Sequence, residues 1–100
     1  MSSERPLELH LVTRRADLRA WGHLRVRLEG GGRQAVILLH DAVLETEEGV
    51  ARALGEEGSK VVVMACAADA EQRRVTERWV LVDYPGIIEC CAAATQVTSW

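Results

Sequence analysis

Cys66 stands in "VVVMACAADAEQRRV" (61–75), where an unalternating apolar run passes directly into good helix formers. Val61 to Met64 suit a strand buried on both faces. Ala67 through Arg74 read as a helix, with Asp69 in the first turn, where a negative charge is favoured. A thiol at such a joint meets unpaired backbone N–H groups and the positive end of the helix dipole. Both lower its pKa and favour the nucleophilic thiolate. The alternative is that Cys66 is a small hydrophobe filling space under the helix, as most buried cysteines are. His40, followed by Asp41, closes another apolar run and is the candidate to take or return a proton. Arg14 and Arg15 could stabilise an anionic sulfur. Cys66 is thus the candidate catalytic residue, and His40, Asp41, Arg14 and Arg15 the candidate binding set.

Other reactive side chains make weaker cases. Cys90 and Cys91 in "IIECCAAAT" read as small helix residues, and adjacent cysteines do not bridge without backbone strain. His10 lies mid-strand and reads as a half-buried, hydrogen-bonded histidine. His23 reads as a solvated or interface side chain of the first helix. "GGGR" (30–33) follows a helix rather than a strand, so it is no phosphate loop. Glu45, Glu47, Glu48, Glu56 and Glu57 read as a solvated helix and its flanks. No CxxC or HxxxH pair occurs, which argues against a metal site, and no cofactor motif is present.

The elements that must position these residues alternate along the chain. "LELHLVT" (7–13) alternates as a strand, with Leu7, Leu9 and Leu11 on one face. "ADLRAWGHLRVRLE" (16–29) puts Leu18, Trp21, Leu24 and Leu28 on one helical stripe. "AVILLH" (35–40) is a second strand and "ETEEGVARALGEEG" (45–58) a second helix, with Thr46 as N-cap. The stretch around Cys66 supplies the third strand and helix. "RWVLVD" (78–83) is a fourth strand, "YPGIIECCAAAT" (84–95) a fourth helix with Pro85 in its first turn, and "QVTSW" (96–100) a fifth strand. This alternation predicts a three-layer α/β/α domain over residues 1–100 with a five-stranded, mainly parallel sheet. The carboxyl ends of its strands form the working edge, and Thr13, Arg14, Arg15, His40, Asp41, Cys66, Asp83 and Tyr84 fall there.

Composition narrows the functions. A net charge of −3 gives no basic field, which argues against direct nucleic-acid binding. No stretch approaches the ~20 apolar residues of a membrane span. "MSSERPLELH" lacks the apolar core of a signal peptide, which points to the cytoplasm. Val97 and Trp100 are apolar residues near the end of the sequence and suggest association with other chains.

Four stretches resemble the DsrE/DsrF/DsrH family, the sulfur-relay proteins that include the Tus tRNA-thiolation subunits. "LELHLVTRR", "VILLHDAVLE", "VLVDYPGIIE" and the terminal "VTSW" are similar to a DsrH/TusB subunit. "ACAADAEQRRV" instead resembles DsrE/TusD subunits, whose persulfide-carrying cysteine lies at this joint. The chain is thus DsrH-like at both ends and DsrE-like at the thiol. The resemblance implies a compact α/β domain that passes sulfur as a cysteine persulfide, with Cys66 as carrier, needing no cofactor. Its implied partners are persulfide donor and acceptor proteins and sister subunits or further copies of itself, in hexamers built from paired subunits. The implied end product is wobble-uridine 2-thiolated tRNA or oxidised sulfur. The other reading is a non-catalytic subunit beside a DsrE-like partner that holds the reactive cysteine.

Overall fold

A computed structural model describes residues 7–100. The reading of the N-terminal ten residues rests largely on 1–6, which lie outside the described residues. The strands are β1 (Leu7–Val12), β2 (Arg33–Leu38), β3 (Val62–Cys66), β4 (Val80–Val82) and β5 (Gln96–Ser99). The α-helices are α1 (Leu18–Glu29), α2 (Glu47–Leu54), α3 (Ala67–Gln72) and α4 (Tyr84–Ala93). All five strands are parallel, in the order β4-β3-β2-β1-β5. The predicted α/β architecture is therefore present, and the sheet is wholly rather than mainly parallel.

Strand order explains the layers. From β1 the chain steps through β2 and β3 to β4, and right-handed crossovers place the intervening helices on one face. The return from β4 to β5 passes to the other side of β1, so α4 covers the opposite face. Trp21, Leu24 and Leu28 of α1, Val50 and Leu54 of α2 and Ala70 of α3 pack with Val12, Val36, Leu38 and Ala65 of the sheet. The alternate strand residues Leu9, Ala35, Ile37 and Cys66 pack with Ile87 of α4, backed by Cys90 and Cys91. One face thus carries three helices and the other a single one.

Local signals fix the helix starts. Asp17, Thr46 and Asp83 each accept a backbone N–H three residues on, from Ala20, Gly49 and Gly86, which satisfies one orphan donor of α1, α2 and α4. Gly86 also makes room at the start of α4, since a Cβ there would lie 2.6 Å from Val82 Cγ2. The predicted helix over 45–58 is divided. It runs from Glu47 to Leu54, stops at Gly55 with φ +73°, and continues as a 3₁₀ turn over Gly55–Lys60. Only glycine takes that backbone conformation without a steric cost.

Four burial expectations are corrected, at Val62, His10, Leu18 and Glu45. Val62, in the run expected to be buried on both faces, is exposed, and His10 is fully rather than half buried. Leu18 is 78% exposed, because it opens α1 ahead of the buried set Ala20, Trp21, Leu24 and Leu28. Glu45 is not a solvated flank. It is buried, accepting from Ala16 N–H at 2.9 Å and Trp21 Nε1 at 3.3 Å, with Arg15 Nε 3.8 Å away. Among the described residues, no helix is long and apolar enough to cross a membrane.

Candidate functional site

Cys66 is the last residue of β3 and the N-cap of α3, so the predicted joint is where the sequence put it. Its surroundings differ from the expectation. Strand alternation gives Cys66 the same face as Val62 and Met64, and its side chain joins the apolar layer beneath α4. It is fully buried and makes no capping hydrogen bond to α3. With only six residues, α3 also falls short of the predicted 67–74 and offers little dipole. The accessible thiolate cradled by helix N–H groups is therefore not the arrangement present.

What stands beside the sulfur is Tyr84, the first residue of α4. Val82 pairs with Cys66 across β4 and β3, and the tight turn through Asp83 brings Tyr84 near enough to the thiol for the two groups to interact. The Tyr84 pKa is raised above its ordinary value, first by the negative charge of a Cys66 thiolate. The hydrogen bond to that sulfur and the Asp69 carboxylate push in the same direction. A phenol held protonated is a donor to the sulfur. Tyr84 is 58% exposed, whereas Cys66 is fully buried.

Asp69 links this corner to the end of β2. It is buried, and its Oδ2 accepts the backbone N–H of His40 at 2.8 Å. His40 adopts φ +51°, an uncommon conformation for a residue with a Cβ. Thus His40 meets α3 through its backbone while its side chain is exposed. Asp41 Oδ1 accepts from Arg73 Nε at 3.1 Å at the surface.

The two arginines do not join this group. Arg14 reaches Asp17 at 3.3 Å and Arg15 faces Glu45, both following β1, two strand positions from β3. Two positions in a sheet amount to about 10 Å. The structure therefore brings together Cys66, Asp69, Tyr84 and the His40 backbone, and leaves Arg14 and Arg15 apart. Asp69 carried no site role in the sequence reading. Its signal was a lone carboxylate three residues after the candidate thiol. Tyr84 was visible only as a residue following a strand.

Cys90 and Cys91 are half-buried on α4 against the second apolar layer, and all three cysteines are free. Compared with known proteins, the chain matches no family model and no curated protein.

Proposed function

We propose that this protein serves a sulfur relay of the DsrE/DsrF/DsrH type, with Cys66 as the persulfide carrier. The observation that carries the reading is the position of Cys66, last residue of β3 and N-cap of α3, at the carboxyl edge of the parallel sheet. In the relay step the Cys66 thiolate attacks the terminal sulfur of a donor persulfide. A new S–S bond forms at Cys66, the donor S–S bond breaks, and the donor leaves as a thiolate, with no net oxidation. The same exchange in reverse delivers the sulfur to an acceptor thiol. Cys66 lies under the apolar layer of α4, so in this reading the start of α4, with Tyr84 beside the sulfur, moves aside to admit the partner. The partners are persulfide donor and acceptor proteins and sister subunits or copies of this chain, in the cytoplasm, where thiols stay reduced. Contact with tRNA falls to a partner, given the net charge of −3.

A second reading, a non-catalytic subunit in such a complex, is favoured by the full burial of Cys66. One experiment separates the two. After incubation with a persulfide donor, the mass of each cysteine peptide is read. The carrier reading expects one added sulfur on the Cys66 peptide, abolished by Cys66→Ser with the fold intact. It also expects Tyr84→Ala to speed alkylation of Cys66 several-fold by uncovering it. Sulfur on Cys90 or Cys91 alone, or on none, overturns the carrier and leaves the subunit.

A further inference from the structure

On the face opposite Cys66, a row of buried polar side chains crosses the sheet from α1 to the end of β5. Arg27 Nη2 donates to Glu8 Oε1 at 2.6 Å, and Gln34 Nε2 donates to the same oxygen at 3.1 Å. Gln34 Oε1 lies 2.6 Å from His10 Nε2, and Trp100 Nε1 lies 3.3 Å from His10 Nδ1. The Glu8 carboxylate only accepts, so it orients the Gln34 amide with its oxygen toward His10. His10 Nε2 must then carry the proton, and Nδ1 must be the acceptor for the Trp100 indole N–H. A neutral imidazole satisfies both neighbours and an imidazolium does not. His10 is fully buried.

Trp100 is the fastener for β5. Its indole stacks on His10 with centroids 6.3 Å apart and lies 5.3 Å from the His23 ring. Its backbone N–H donates to Leu11 O at 2.9 Å, and its carbonyl accepts from Thr13 Oγ1 at 2.8 Å.

We propose that His10 and Trp100 form a pH-sensitive latch: a proton on His10 Nδ1 sets two donors against each other and releases Trp100, opening β5 from the edge of β1. The charged and titratable groups facing His10 are Glu8 on its own strand and Arg27 and His23 on α1, while β2 and the end of β5 present the neutral Gln34 and Trp100. Burial is the largest influence and lowers the His10 pKa. The hydrogen bond His10 makes to Gln34 Oε1 and the Glu8 charge oppose it, and the His23 and Arg27 charges add to it. A histidine whose folded pKa is depressed contributes stability that is present above its unfolded pKa of about 6.5 and is lost as pH falls below that value. The latch is therefore closed at neutral pH and opens in mild acid.

The test is amide hydrogen exchange at about pH 7.5 and 5.5, corrected for intrinsic rates, with the Trp100 indole N–H followed by NMR. Protection of residues 96–100 should fall by about tenfold for each unit of His10 depression titrated. Val36 and Val63 should keep theirs, and the Trp100 indole resonance should move with the His10 titration. Trp100→Phe keeps an aromatic side chain and deletes the indole N–H, so the pH dependence at 96–99 should shrink. Unchanged protection in acid, equal loss in every strand, an indole resonance indifferent to His10, or an undiminished pH dependence in Trp100→Phe would each overturn the latch.

Discussion

Arg27→Ala should destabilise the protein by about 3 kcal/mol at neutral pH, the lower end of the range for removing one partner of a buried ion pair. Glu8 is 6% exposed, and one of its oxygens takes Arg27 Nε at 2.9 Å and Nη2 at 2.6 Å. The lower end applies because the Arg27 side chain is itself about half exposed, so solvent already shares the pair. Burial alone would push the Glu8 pKa up. The Arg27 and Gln34 hydrogen bonds and the Arg27 charge more than offset it, and the carboxyl lies below its ordinary value. In the parent protein Glu8 therefore contributes stability that is present above the unfolded carboxyl pKa and lost as pH falls through the lower folded one. Without Arg27 its hydrogen bonds and charge no longer oppose the burial penalty, so the folded pKa moves up and the protonated acid is disfavoured less. The deficit should accordingly shrink as pH falls from 7 toward 5. Urea denaturation of both proteins across that range measures it. A loss under about 1 kcal/mol, or a deficit that grows in acid, would show that the clasp is not what holds Glu8.

Leu24→Ala should cost about 3 kcal/mol, while Leu18→Ala should change stability by less than about 0.5. The substitutions are chemically identical and lie on one helix. Leu24 is fully buried among Trp21, Leu28 and the sheet, and truncation leaves a cavity. Leu18 is 78% exposed and already in water. Equal denaturation midpoints for the two variants would place the core elsewhere than beneath α1.

That contrast marks what hydrophobic spacing can and cannot convey. Helical periodicity locates a face, and Trp21, Leu24 and Leu28 were legible as one. It does not locate the first buried turn, so Leu18 was counted in. The strand order was less legible still, since alternation of strands and helices predicts a parallel sheet but not which strand neighbours which. That order decided the candidate site: it set Arg14 and Arg15 two strands from Cys66 and brought Tyr84 to it. Strand parity then turned Cys66 toward α4 rather than toward the start of α3.

The polar residues of β1 taught the opposite lesson from its leucines. "LELHLVT" has the alternation of a strand with one wet face. Yet β1 lies between β2 and β5 with helices on both sides, so Glu8 and His10 are as dry as Leu9. A buried polar face is tolerated only when its members satisfy one another. That depends on Gln34 and Arg27, which no local pattern connects to β1.

The position of β1 between β2 and β5 also sets the entropy of assembly. The contact from His10 to Gln34 spans 24 residues, whereas that from His10 to Trp100 spans 90. Loop-closure cost grows with the logarithm of chain length, so bringing β5 to β1 as an open loop costs about 1 kcal/mol more than bringing β2. The surcharge vanishes once β2, β3 and β4 have zipped up and shortened the free chain to α4 and its flanks. The least costly order of assembly therefore runs outward from β1 through β4 and adds the opposite edge last, so the chain's two most distant segments meet over a sheet that has already formed.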